Sequence, residues 1–344
     1  MPQVVYVSPS SEQHGGIRVI FEHAEGLVRR GYEVLVVGPD PAPDWHDFDV
    51  EYRQRPIYEP GGVPAADIAI GTFYTTMRPA FDSGSGQVFH LCQGYEGVHR
   101  EYAPILHEID SAYQLPVPKL LISAHLEPIL QQRYGCTCYV LSQALDSELF
   151  SPGRDSFRRD PEVLRVAVVG SFGFRSKGIH EALEGLRRAR DVGHPLEVHR
   201  ASSLPCSDEE RALRVTDVFH HQLSTKEMVD FYRGVDALLY SSHDEEGFPL
   251  PPIEAMACGV PVALTDISPF AALPRDAVLR YPPGTPAAVP DLIARLRDPM
   301  TRARLHVAGL EAARKLTPDA QLDRIEAAFA AEGVATGGVA VSAS

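Results

Sequence analysis

One stretch constrains the fold more than any other. Ala237-Leu238-Leu239-Tyr240 is a short apolar run with the length of a buried strand. Downstream, Glu246-Gly247-Phe248-Pro249-Leu250-Pro251 is a glycine- and proline-rich turn that regular helix or strand cannot continue through. Good helix formers follow from Pro252 to Cys258, with proline tolerated in the first turn, and Val260-Pro261-Val262-Ala263-Leu264 returns to strand character. Two carboxylates lie eight positions apart in this unit, Glu246 in the loop and Glu254 in the helix. Loops at the carboxyl ends of strands are where α/β sheets bind ligands, and a helix N-terminus favours anions nearby. The residues alone also fit a plain connection carrying two solvated acids.

The same alternation runs through the chain, whose 344 residues are too many for one ordinary core. Val4 to Ser8 reads as a strand and Gly15-Gly16 as the turn into a helix with Ile17, Ile20, Phe21, Ala24, Leu27 and Val28 at helical spacing. Arg29-Arg30-Gly31 ends that helix, and Glu33 to Gly38 is the next strand. No GxGxxG fingerprint is present, so Gly15-Gly16 is either turn chemistry or a place where a ligand approaches the backbone. Pro39 to Gly62 and Tyr74 to Gly86 read as irregular loops. Strands follow at 67–71, 87–92, 120–123 and 138–141, with a helix at 127–134.

Periodicity is lost after Asp146. The reading is therefore an α/β chain of two Rossmann-like β/α/β domains facing each other across a cleft. Residues 1–150 form the first domain, 151–163 a linker, 164–331 the second domain, and 332–344 a disordered tail. The last helix, 319–331, can pack back on the first domain. In the second half, strands are expected at 164–170, 196–199, 218–221 and 277–281, with Ser224 capping a helix.

Composition narrows the partners. A net charge of −14 opposes nucleic acid as the main ligand. No apolar run approaches the roughly 18 residues of a membrane span, and the first residues enter a strand without a basic leader. Five cysteines without a CxxC pair suit reduced thiols in a cytoplasmic protein; Cys136 and Cys138 form only CxC. No Asp-x-Asp stands at a strand end, and no metal site is expected.

Gly173-Phe174-Arg175-Ser176-Lys177-Gly178 places two cations in a glycine-rich loop just before a helix, a setting that suits a diphosphate unless both are simply solvated. Glu254 can accept ribose hydroxyls, and the N–H groups of Gly247, Phe248 and Leu250 can serve sugar hydroxyls, whereas Pro249 has none to give. Together these describe a nucleotide-sugar site.

The whole of Glu246 to Val262, with its Glu-x7-Glu spacing, resembles the motif of family 4 glycosyltransferases, which are retaining enzymes of the GT-B fold. Gly15-Gly16-Ile17, Lys177-Gly178, Asp146 to Pro152 and Ser224 to Tyr232 support the likeness, which covers about residues 3–331. The loops resemble those of bacterial rhamnosyl- or hexosyltransferases acting on cell-surface glycans or secondary metabolites.

The resemblance implies transfer of a hexose from a UDP-, GDP- or dTDP-sugar to an acceptor hydroxyl, with no metal or other cofactor. It implies that Glu246 faces the sugar and that Lys177 and Arg175 neutralise the leaving diphosphate. Gly16, with Gly15, would admit the diphosphate to the first-domain loop. Phe248, Pro249 and Leu250 would line the pocket with Gly247, and Gln222, Leu223 and Thr225 would meet the base. On the acceptor side stand His90, Tyr95, Glu96 and His99, although solvated loop residues read the same way. The acceptor is a glycan, a lipid-linked sugar or a small molecule, with peripheral membrane contact in the lipid case, and the protein is a monomer or homodimer.

The chain departs from the family pattern in three places. Ser171 stands where an arginine usually follows the strand glycine, here Gly170; Ala144 replaces a glycine; and Gln93 replaces a histidine. These leave open a non-catalytic binding module, and the two-domain fold is shared by GT-B nucleotide-sugar epimerases, a second rival reading.

Overall fold

The computed structural model describes residues 1–45, 48–153, 157 and 160–334. The chain divides into two compact units, one of Met1–Ala144 with the helix that starts at Pro318, the other of Leu145–Thr317.

The first unit is built as β1 (Gln3–Val7), α1 (Gly15–Arg29), β2 (Glu33–Gly38), β3 (Glu51–Gln54), β4 (Ile68–Gly71), α2 (Tyr74–Phe81), β5 (Gln87–Cys92), α3 (Leu106–Tyr113), β6 (Lys119–Leu121), α4 (Leu126–Tyr134) and β7 (Cys138–Val140). The strands form one sheet in the order β3-β2-β1-β4-β5-β6-β7, and every pairing is parallel. Its central strands are continuous apolar runs, as strands covered on both faces must be.

The second unit follows as β8 (Leu164–Val169), α5 (Ile179–Asp191), β9 (Leu196–Ser202), α6 (Asp208–Ala212), β10 (Val218–His221), α7 (Thr225–Arg233), β11 (Ala237–Tyr240), α8 (Leu250–Ala257), β12 (Val262–Thr265), β13 (Val278–Tyr281), α9 (Val289–Arg297) and α10 (Pro299–Ala313). Its sheet is β10-β9-β8-β11-β12-β13, again parallel throughout. The closing helix α11 (Pro318–Ala331) belongs to the first unit.

Two elements of the first unit, β3 and α2, fall in stretches expected to be loops, and a third, α3, in a stretch given no assignment. Strand β3 is polar, Glu-Tyr-Arg-Gln, because it pairs only on one side with β2 at the sheet edge. Helix α2 carries Pro79 in its interior, and α3 is only eight residues long, so neither shows a sustained apolar period. Gly15 and Gly16 are not a free turn but the first residues of α1, where the His14 ring nitrogen accepts from the Ile17 N–H at 3.4 Å.

The unit boundary lies ahead of the expected 151–163 linker, part of which lies outside the described residues. Leu145 and Phe150 are buried in the core of the second unit, and the Leu145 N–H donates to Leu316 O at 2.8 Å. From residue 335 the expected tail also lies outside the described residues. Helix α11 is held to the first unit by Leu322 against Gly26, Phe329 against Tyr32 and Phe89, and Arg30 bonded to Asp323 and Glu326. Among the described residues no helix is long and apolar enough to cross a membrane.

Candidate functional site

In the second sheet the strand order reverses between β8 and β11, which are adjacent although distant in sequence. Such a switch point leaves a gap at the carboxyl edge between the loops leaving the two strands, and ligands of open α/β sheets lie there. Here the two loops are 170–178 and 241–249, the phosphate-type loop and the loop carrying Glu246.

The two loops meet directly. Lys177 Nζ lies 2.8 and 2.9 Å from the two oxygens of Glu246. The glutamate side chain is 11% exposed and the lysine 31%, so the pair opens to solvent mainly through its cation. The His243 N–H donates to Ser176 O at 2.8 Å. Gly178 sits at φ +58°, in the left-handed region, with its Cα against the Ser241 carbonyl; a Cβ there would collide with that backbone oxygen. The glycine before the helix is therefore required by conformation and by space at once.

A second layer holds both loops from below. Arg200 of β9 is fully buried; it bonds Glu210 of α6 at 2.7 Å, Val168 O at 2.7 Å and Gly170 O at 2.8 Å. Its guanidinium thus fixes the last turn of backbone before the cationic loop. Ser171 is buried and its hydroxyl pairs with that of Ser203 at 3.0 Å. On the other side, the Thr265 hydroxyl donates to Ser242 O at 2.6 Å, the Tyr281 hydroxyl to Ser241 Oγ at 2.8 Å, and the Ser268 N–H to Asp244 at 2.8 Å.

Glu254 is 4% exposed on α8 and accepts from the buried Tyr232 hydroxyl at 2.9 Å. Pro249 caps α8, with Leu250 its first residue, and the ring of Phe248 rests edge-on against Phe270. Arg175 is exposed; its carbonyl accepts from the Gly178 N–H at 3.0 Å, and its side chain makes no hydrogen bond or ion pair among the described residues. Gln222, at φ +51°, is exposed at the end of β10; Leu223 and Thr225 follow it, flanking the Ser224–Glu227 capping box.

The first sheet has its own switch point, between β1 and β4. Gln93, after β5, donates its amide to Gly16 O at 2.9 Å, and Thr72 donates to Val7 O at 2.8 Å. Glu96 accepts from Tyr113 at 2.7 Å, and burial pushes its carboxyl above the ordinary range. His99 is half-buried, edge-on to Tyr102. Two residues expected on the acceptor side have no surface to offer: His90 is 1% exposed on β5 and Tyr95 3%, its hydroxyl bonded to that of Tyr134 at 2.7 Å. His90 was read from a strand whose residues are buried on both faces, and the aromatic packing around Tyr95 has no local sequence signal.

The structure brings Lys177, Glu246, Gly170 and Ser171 to one switch point, with Gly247, Phe248, Pro249, Leu250 and Glu254 directly following Glu246. It adds Arg200, Glu210, Tyr232 and Gly178's neighbour Ser241. Tyr232 was legible only as a member of a helix, and Arg200 fell one residue past the expected strand 196–199, which in the structure runs to Ser202. Among the described residues no group of three His, Cys, Asp or Glu side chains could hold a metal ion.

Residues 158–311, which span most of the second unit, match the family model for glycosyl transferases group 1. No curated protein sequence matches the chain significantly. Solved structures do match in fold. A sucrose-phosphate synthase from Thermosynechococcus elongatus superposes with a TM-score of 0.79 at 16% identity, over 97% of this chain and 99% of that one. HepE of Anabaena, solved with UDP-glucose, has a TM-score of 0.77 at 11% identity, over 96% and 100%. TarM gives 0.65 at 12% identity, over 76% of this chain and 54% of that one. The fold is GT-B, with two Rossmann-like domains built, among the described residues, on parallel sheets of seven and six strands.

Proposed function

We propose that this protein transfers a hexose from a nucleoside diphosphate sugar to an acceptor hydroxyl, with retention at the anomeric carbon. The observation that carries the reading is the Lys177–Glu246 pair at the switch point of a domain matching glycosyl transferases group 1. The fold relatives support the donor class: HepE is described with UDP-glucose and with UDP and glucose, and a TarM variant with alpha-GlcNAc-glycerol and UDP.

On this reading the diphosphate competes with Glu246 for Lys177. Lys177, with the exposed Arg175, offsets charge on the leaving group as the bond from the anomeric carbon to the phosphate oxygen breaks. Electrostatic stabilisation of this kind is usually the largest catalytic contribution, about 10²–10³ in rate for each group removed. These cations take the place of a divalent ion, so activity should survive EDTA. Glu246, released from Lys177, stabilises positive charge at the anomeric carbon while the acceptor oxygen bonds to it. Glu254, oriented by Tyr232, takes the ribose hydroxyls. The N–H groups of Gly247, Phe248 and Leu250 serve the sugar and phosphates, and Gln222, Leu223 and Thr225 the base. Gly15, Gly16 and Gln93 lie on the first unit's edge, and the acceptor is a glycan, lipid-linked sugar or small molecule.

Calorimetric titration with UDP, GDP and dTDP tests the site. Wild type binds one of them; Lys177→Ala and Glu254→Ala bind at least tenfold more weakly; Glu246→Ala binds nearly as well and transfers no sugar. Unchanged affinity in the first two variants overturns the placement. Release of an epimerised sugar from donor alone overturns the transferase reading.

A further inference from the structure

Outside this site lies a pair of thiols that the proposed transfer does not use. Cys136 leads into the edge strand β7 and Cys138 is its first residue; both are partly exposed and both are free. Their sulfurs are 3.8 Å apart. Two residues of extended chain span about 6.6 Å, inside the range of about 4.4–6.8 Å over which a disulfide is bridged. We propose that Cys136 and Cys138 form a reversible disulfide in exchange with low-molecular-weight disulfides, with Cys136 the attacking thiol.

The surroundings assign the roles. The two thiols share a hydrogen bond in which either can donate, the protonated Cys136 can donate to the Leu130 carbonyl of α4 at 3.7 Å, and the charge of Lys119 acts on Cys136. Lys119, the first residue of β6, is fully buried; among the described residues its ammonium meets the Leu115 carbonyl, at 3.5 Å, and the face of Tyr113. A buried cation with so little compensation favours a thiolate beside it. The hydrogen bond from Cys138, then the charge of Lys119 against the opposing effect of burial, bring the Cys136 thiol down to about 7. The same hydrogen bond, with burial, pushes Cys138 up, so the pair loses its first proton easily and its second with difficulty. The other groups facing the pair are the Cys92 thiol from β5, itself pushed up by burial, and Glu127 from α4.

The exchange balances without any further reactant. The Cys136 thiolate attacks one sulfur of the small disulfide, forming a mixed disulfide and expelling one thiolate. Cys136 then carries no charge, so the effect that held the proton on Cys138 disappears. The Cys138 thiolate attacks the Cys136 sulfur and expels the second small thiolate. Two protein thiols are oxidised, one disulfide is reduced, and the two protons end on the released thiols.

The test uses the full chain, reduced and then incubated with glutathione disulfide. Intact mass should fall by two hydrogens with no glutathione retained, and peptide mapping should place the bridge between 136 and 138. In Cys138→Ser the same treatment should trap one glutathione on Cys136. Iodoacetamide should alkylate Cys136 of the wild type about tenfold faster at pH 7 than it does Cys206, a thiol that burial pushes up. The wild-type rate stands even if the variant fails to fold. Glutathione left stably on wild-type Cys136, or Cys206 reacting first, overturns the proposal.

Discussion

The two sheets share a topology and differ in chemistry at the same place. Each reverses its strand order once, and each has side-chain contacts joining the segments at the carboxyl edge beside the reversal. In the second unit the bridge is an ion pair, Lys177 with Glu246, resting on a fully buried ion pair, Arg200 with Glu210. In the first unit the bridge is neutral: the Gln93 amide on Gly16 O and the Thr72 hydroxyl on Val7 O. Its buried titratable groups include two imidazoles, His23 and His90, that burial holds uncharged. One architecture therefore supports either a charged or a neutral edge, and which one forms depends on the side chains set into the loops and the layer beneath them. A charged edge suits a diphosphate; the proposed transfer asks no charge of the other.

Removing Arg200 should have the largest effect. Arg200→Ala strands Glu210 in the core and frees the Gly170 carbonyl, and breaking a buried pair typically costs about 3–5 kcal/mol. Urea denaturation should show that loss, and nucleotide affinity should fall with it. An Arg200→Ala protein of wild-type stability would remove the buried charge from the comparison.

Two glycines, Gly178 before a helix and Gly16 in a helix's first turn, give the next contrast. Gly178→Ala combines a positive φ with a backbone collision and should cost about 2–4 kcal/mol. Gly16→Ala places its Cβ 3.4 Å from Gln93 and His14 in a helix's first turn and should stay within about 1 kcal/mol of wild type. Equal losses in both would mean that the first unit's bridge is as tight as the second's.

Acid should separate the units. Burial lowers His23 from 6.5 to about 4, although its bond to Gln321 works the other way. Between those values the unfolded chain binds the extra proton, so stability is full above about pH 6.5 and falls as pH drops toward 4. The loss from this group is on the order of 3 kcal/mol. The single tryptophan, Trp45, lies in the first unit and donates to Ser11 O, so its fluorescence reports that unit alone. Its urea midpoint should fall between pH 6.5 and 4.5, and His23→Gln should flatten that fall.

The smallest effect is expected at Tyr232→Phe. The change leaves Glu254 without the phenol donor, at about 1–2 kcal/mol, and should weaken nucleotide binding by a similar amount. Calorimetry with the preferred nucleotide measures it.

Most of the strand and helix pattern was legible because buried parallel strands are continuous apolar runs and the longer helices carry a 3.6-residue period. That reasoning located β2 and the Glu246–Val262 unit, and it recognised the Ser224 cap. It failed where the local signal is weak: the polar edge strand β3, the proline-bearing α2 and the short α3. It counted α11 with the second domain while allowing it to pack back on the first, because sequence order says nothing about which core a terminal helix covers.

The sequence by itself determined the two-domain α/β class and the charged residues of the candidate site, since both follow from local pattern and side-chain chemistry. Only the tertiary structure decided that Lys177 closes on Glu246, that Arg200 fixes the start of the cationic loop, and that His90 and Tyr95 lie inside rather than at an edge. Those facts depend on which strands become neighbours. Neighbours in a crossover sheet are separated by tens of residues, beyond the reach of any periodicity or spacing along the chain.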